Sequence, residues 1–162
     1  VLAWLNVLAG RGGSVADIVT GHWREYGRNY YARHDYEAIK HGPADELMAA
    51  LRERLPGLPG TRLDGCEVRY ADDFSYTDPI DGSVSEHQGL RIGFADGSRI
   101  VFRLSGTGTV GATLRVYLES FEADLARQQM DPQQALAPLI GIAGQLAEIR
   151  ERTGREAPDV IT

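Results

Sequence analysis

Apolar and polar residues alternate most regularly in two runs near the middle of the chain. Ile100, Phe102 and Leu104 alternate with Val101, Arg103 and Ser105; further on, Ala112, Leu114, Val116 and Leu118 alternate with Thr113, Arg115, Tyr117 and Glu119. Side chains on a strand change face at every residue, so each run predicts a strand with one buried face. Leu90 to Phe94 and Ser98 to Leu104 flank Asp96-Gly97, a strong hairpin turn signal. Further strands are predicted near 66–70 and 73–77. Helical patterning brackets this region. Residues 1–9 form a helix end closed by Gly10-Arg11-Gly12-Gly13. Ser14, with Asp17 at capping-box spacing, opens a second helix that runs to Tyr26 and stops at Gly27. Arg28 to Tyr36 is expected as a crossover. Pro43 begins a helix over 43–54 with Leu47, Met48 and Leu51 on one face, and Leu55 to Gly60 is a loop. Asp131 caps and Pro132 opens a long last helix to about Arg152, its stripe formed by Leu136, Leu139, Ile140, Ala143, Leu146 and Ala147. Antiparallel strands between helices define an α+β fold, an antiparallel sheet packed by helices.

The two alternating runs place chemistry as well as core. If both apolar sets pack into one core, Arg103, Ser105 and Arg115 share the opposite face. The segment between them is Gly106-Thr107-Gly108-Thr109-Val110-Gly111. Glycines let consecutive backbone N–H groups converge on an anion. Ser105, Thr107 and Thr109 add hydroxyl donors, and the two arginines add planar charged forks that fit phosphate oxygens in pairs. Gly106, Gly108 and Gly111 also spell G-x-G-x-x-G. A dinucleotide site needs a helix next, and a strand pattern follows instead. A protein kinase needs a lysine shortly after the loop, but the sole lysine, Lys40, lies before it. A plain glycine-rich hairpin with solvated arginines at its base satisfies the same pattern.

Composition narrows the classes. The chain has 162 residues, 43% hydrophobic and 25% charged, enough for a real core. Its net charge of −6 argues against nucleic-acid binding, which needs a basic face. No apolar run is long enough to cross a bilayer. Cys66 is the one cysteine, so no internal disulfide forms and a reducing compartment is favoured. Asp72, Asp73, Asp78 and Asp81 lack the spacing of a calcium loop and read as strand and turn. His22, His34, His41 and His87 are scattered and read as surface or packing residues. Trp4 and Trp23 lie on helical stripes and are expected in the core. Arg152 and Arg155 are expected to complement the dipole of the last helix.

A dense set of short motifs then points to a family. These are Trp4-Leu5, His22-Trp23, Tyr26-Gly27-Arg28-Asn29, Asp78-Pro79, Asp81-Gly82-Ser83, Gln88-Gly89-Leu90-Arg91, the run from Gly97 to Gly108, Gly111 to Arg115, Leu136 to Ile140, and the tail from Glu151 to Thr162. In this order they resemble the C-terminal, fourth domain of phosphoglucomutases, within the α-D-phosphohexomutase superfamily and on its glucose-specific branch. The resemblance implies a TATA-binding-protein-like fold for residues 28–162, with residues 1–27 as the helical end of the preceding domain and a hinge. It implies that Arg103, Ser105, Gly106, Thr107, Gly108, Thr109 and Arg115 bind the phosphate that is not being transferred. Thr109-Val110 departs from the relatives' serine and small residue, though Thr109 keeps a hydroxyl. The parent enzyme implied is a cytoplasmic isomerase of carbohydrate metabolism that interconverts glucose 1-phosphate and glucose 6-phosphate through glucose 1,6-bisphosphate, with Mg²⁺ held elsewhere. The motifs for its phosphoserine, metal and sugar loops are absent from this sequence. The chain therefore reads as the C-terminal part of a longer mutase, expected to lack catalysis and to bind no cofactor by itself. Its expected partners are the phosphosugar and three upstream domains, with no nucleic acid or membrane. Open alternatives are a parent with another hexose-phosphate preference and a non-catalytic phosphate-binding or interaction module.

Overall fold

Alternation becomes burial in a computed structural model that describes residues 1–105 and 111–162. Seven strands form one sheet: β1 (Arg28–Ile39), β2 (Arg62–Leu63), β3 (Cys66–Thr77), β4 (Val84–Phe94), β5 (Arg99–Ser105), β6 (Ala112–Glu122) and β7 (Val160–Ile161). Their order is β2-β3-β4-β5-β6-β1-β7, and every neighbouring pair is antiparallel. Ile100, Phe102, Ala112, Leu114, Val116 and Leu118 are all fully buried, as their period of two requires. They share one core with Leu47, Met48 and Leu51 of α3 (His41–Arg54) and with Leu139, Ile142 and Ala143 of the C-terminal helices. Helices thus cover one face of the sheet, which is the expected α+β architecture. Two further helices, α1 (Leu2–Arg11) and α2 (Val15–Tyr26), precede it and bury no residue. The Ser14–Asp17 capping box forms at the start of α2 as its spacing requires.

Five expectations need correction. Arg28 to Tyr36 is no crossover; it belongs to β1, which lies between β6 and β7. Its buried face is built from Tyr30, Ala32, His34 and Tyr36, a set too polar for the alternation to be visible. The buried polar groups find partners: the Tyr30 hydroxyl donates to the carbonyl of Arg127, and His34 Nε2 lies 2.8 Å from Gln133 Oε1. The segments 66–70 and 73–77 are one continuous strand, its register shifted against β4 at two places.

The long last helix is broken into α4 (Pro132–Ala135), α5 (Ala137–Leu146) and α6 (Ile149–Thr153). Pro138 cannot donate to the preceding turn, which separates α4 from α5. Glu148 then adopts a left-handed backbone, φ 49°. Its carboxylate is gripped by Arg54 and Arg152, while Arg54 Nη1 satisfies the carbonyl of Leu146 at the end of α5. Arg152 thus serves a corner, and Arg155 binds Asp159 and the carbonyl of Glu37, tying the tail to β1 rather than serving a helix dipole. Finally, Trp4 is 51% exposed and not in the core. Trp23 is half-buried, its ring lying 4.1 Å from the Arg28 guanidinium, which stacks on Tyr30 at the same distance.

Candidate anion site

The strand pair β5–β6 sets the geometry. Arg103 lies directly opposite Arg115, Ser105 opposite Thr113, and Val101 opposite Tyr117. Directly opposed residues of an antiparallel pair project from the same face. Both arginines therefore stand on the face turned away from the helices, with Ser105 one rung nearer the loop. Like charges at directly opposed positions repel, so this rung favours an anion between the two forks.

The row continues across the sheet. On β1, Asp35 pairs in register with Arg115. Asp35 is 4% exposed and accepts a 2.9 Å bond from Arg33 Nε. Its other oxygen lies 3.8 Å from Arg115 Nε, too far for a hydrogen bond. That buried N–H has no acceptor among the described residues. Asp35 thus offsets part of the Arg115 charge without occupying its donors.

Two glycines shape the surroundings. A Cβ on Gly89 of β4 would stand 3.0 Å from Arg103 Cγ, so its absence gives the arginine stem room. Gly111 has φ +117°, and a Cβ there would stand 2.7 Å from the carbonyl oxygen of Ile39. Only glycine fits both demands, which seats the start of β6 closely against the end of β1. Gly106, Thr107, Gly108 and Thr109, the remaining positions of the expected phosphate loop, lie outside the described residues.

Beside Arg103 lies a cleft of about 370 Å³, lined by Asp45 and Arg52 of α3, His87, Gln88 and Gly89 of β4, and Arg103 itself. Below its rim, Asp73 Oδ2 accepts 2.7 Å bonds from Arg52 Nε and from His87 Nδ1. Burial pushes the Asp73 carboxyl up, but the bonds from Arg52 and His87 outweigh it and hold the group below the usual carboxylate value. The sequence pattern places Asp73 in strand or turn, Arg52 within a helix, and His87 as a surface or packing residue. Their meeting depends on a strand register and a helix placement that no local spacing encodes. The backbone of His87, left-handed at φ 54°, has no sequence signal either.

Among the described residues no three His, Cys, Asp or Glu side chains gather to hold a metal ion. The donor set among the described residues does not fit Mg²⁺. No helix among them is long and apolar enough to cross a membrane.

A helix-backed antiparallel sheet with paired arginines on its open face defines an α+β domain. A family model described as the phosphoglucomutase-1 C-terminal domain matches residues 28–159. A phosphoglucomutase from Rhizobium radiobacter is 57% identical over 162 residues, and "Phosphoglucomutase, cytoplasmic 2" from Zea mays is 51% identical over 178; each alignment covers 100% of this chain and 30% of the relative. The crystal structure of the Paramecium exocytosis-sensitive phosphoprotein pp63/parafusin, a phosphoglucomutase in its open form, superposes with a TM-score of 0.87 at 42% identity, covering 99% of this chain and 28% of that one. The chain belongs to the phosphoglucomutase family and corresponds to its C-terminal domain. It spans about 30% of the length of the curated relatives it matches.

Proposed function

We propose that this domain holds the non-transferred phosphate of a hexose phosphate within a cytoplasmic phosphoglucomutase, whose other domains supply the transfer chemistry. The observation that carries this reading is the rung in which Arg103 faces Arg115, with Ser105 and Thr113 beside it and the buried Nε–H of Arg115 left unpaired. The intervening sequence, Gly106-Thr107-Gly108-Thr109, completes the donor set in this reading. A mutase that passes through a bisphosphate must hold either phosphate while the other reacts. Guanidinium forks and backbone amides suit that task because they read the dianion and not the carbon that bears it. Anchoring the remote phosphate lets binding energy orient the reacting end.

Residues 1–27 belong, in the same reading, to the end of the preceding domain and the hinge. The family match begins at residue 28, and Leu2, Trp4 and Leu5 are exposed, which supports a boundary there. Rotation near residues 27–30 would close this domain over the substrate and keep water from the phosphoenzyme. Glucose 1-phosphate is the substrate proposed for the parent, with Mg²⁺ and glucose 1,6-bisphosphate as its cofactors and the transfer chemistry in the other domains. The test is steady-state kinetics of the full-length enzyme with glucose 1-phosphate and mannose 1-phosphate. Arg103→Ala is expected to raise KM and lower kcat together. Unchanged constants would remove the phosphate role, and equal or better turnover of the mannose ester would remove the glucose assignment.

A further inference from the structure

We propose that Asp35 is a positioning residue for the anion rung: its carboxylate takes the Nε–H of Arg115, so that the guanidinium offers its outer fork, Nη1 and Nη2, to an anion shared with Arg103. The proposal rests on the phosphate reading of the Arg103–Arg115 rung and adds to it a residue that never touches the anion.

Register puts the three side chains in line. Arg115 of β6 pairs with Arg103 of β5 on one side and with Asp35 of β1 on the other, so all three project from the open face. Arg115 is therefore repelled from one flank and attracted from the other. Asp35 is firmly held. It is 4% exposed, its Oδ1 accepts from Arg33 Nε, and its backbone lies between Arg115 of β6 and Val160 of β7. The second oxygen, Oδ2, is the one that faces Arg115, 3.8 Å from Nε.

Arg115 is divided between two surroundings. Its side chain is 40% exposed, yet its Nε–H is shut off from water and has no acceptor among the described residues. A buried donor left unpaired is costly, and more so when the group is charged. A movement of about 1 Å toward Asp35 Oδ2 brings that N–H within bonding distance. A guanidinium can hold two oxygens on either of two edges, Nε with Nη2 or Nη1 with Nη2. With Nε given to Asp35, the first edge is closed and the second is left for the anion. The arginine then has less freedom to lose when the anion arrives.

The role has a signature of sign. A carboxylate beside an anion site repels the anion, and Asp35→Asn also releases Arg33 as an added cation. Electrostatics alone therefore has the variant bind a dianion more tightly. Positioning has it bind more weakly, because ordering one long side chain on binding costs roughly two- to tenfold in affinity.

Sulfate is the probe. Calorimetric titration of the 162-residue chain at neutral pH and constant ionic strength should show Asp35→Asn binding sulfate about threefold more weakly than the unaltered chain. In an Arg115→Lys background the same substitution should no longer weaken binding, since a lysine has no second edge to choose. A crystal structure of the unaltered chain with sulfate reads the geometry without any substitution, and decides alone if Asp35→Asn fails to fold. It should place Arg115 Nε within about 3.2 Å of Asp35 Oδ2 and sulfate on Nη1 and Nη2. Tighter or unchanged binding by Asp35→Asn, equal weakening in both backgrounds, or sulfate seated on Nε overturns the role of Asp35 while the arginine rung stands. If no sulfate lies between Arg103 and Arg115, the phosphate reading falls and takes this proposal with it.

Discussion

Removing Arg103 should change stability in opposite directions depending on whether an anion is present. Without one, Arg103→Ala takes away half of a like-charged rung whose partner is Arg115, and the chain should gain a few tenths of a kcal/mol or stay unchanged. With one, the variant loses a charge-assisted fork. A site of two exposed arginines and a few hydroxyls binds a dianion with a dissociation constant of about 1 mM. At 100 mM sulfate such a site stabilises the folded chain by about 2.7 kcal/mol. If removing one fork weakens binding about tenfold, a loss of about 1.4 kcal/mol, sulfate stabilises the variant by only about 1.4 kcal/mol. The gap of about 1.3 kcal/mol corresponds to about 3–5 °C in Tm for a chain of this size. Thermal unfolding followed by circular dichroism, with sodium chloride matched for ionic strength as the control, reads both effects. Equal sulfate-induced shifts in the two proteins would refute the reasoning. So would a large destabilisation of the variant in sodium chloride, because Arg103 would then be a structural residue.

Two more outcomes follow from the geometry. Gly111→Ala combines a φ of +117° with a contact of 2.7 Å to the Ile39 carbonyl oxygen, and should cost about 2–3 kcal/mol in urea unfolding at neutral pH; a loss under 0.5 kcal/mol would mean that β6 need not approach β1 so closely. Asp73→Asn should destabilise by about 1 kcal/mol at neutral pH. The Asp73 carboxyl is held below its unfolded value, so its contribution is complete above that value and is lost as pH falls through the folded one. The gap in urea midpoint between the two proteins should therefore be present at pH 7 and close as pH falls below about 4. A gap that persists at pH 2.5 would show that shape, not charge, holds Asp73.

The sheet's centre was legible because its strands alternate cleanly: Ile100, Phe102, Leu114 and Val116 are both apolar and buried. The hairpin at Asp96-Gly97 and the capping box at Ser14 were legible for a local reason, since turn and cap chemistry lie within a few residues. What escaped depends on distant partners. β1 buries two tyrosines and a histidine, and it reads as polar until the carbonyl of Arg127 and the side chain of Gln133 arrive to satisfy them. The corner at Glu148 depends on Arg54, which comes from another helix. The arginine rung follows from period alone, because two buried stripes on adjacent strands leave their alternate residues together. The Asp73–His87–Arg52 contact draws on β3, β4 and α3 at once, and only the folded chain brings it about.

Both borders of the sheet are stubs. β2 and β7 contribute two residues each and cover only part of the long strands β3 and β1. At the β7 border, Thr162 exchanges backbone bonds with Arg33, and Asp159 donates to the carbonyl of Asp35. The tail is therefore fastened to the same stretch of β1 whose Asp35 stands against Arg115. An affinity handle fused after Thr162, or trimming back to Glu156, would disturb the border of the sheet and an arginine's setting in one stroke. Purification handles for this domain belong at the other terminus.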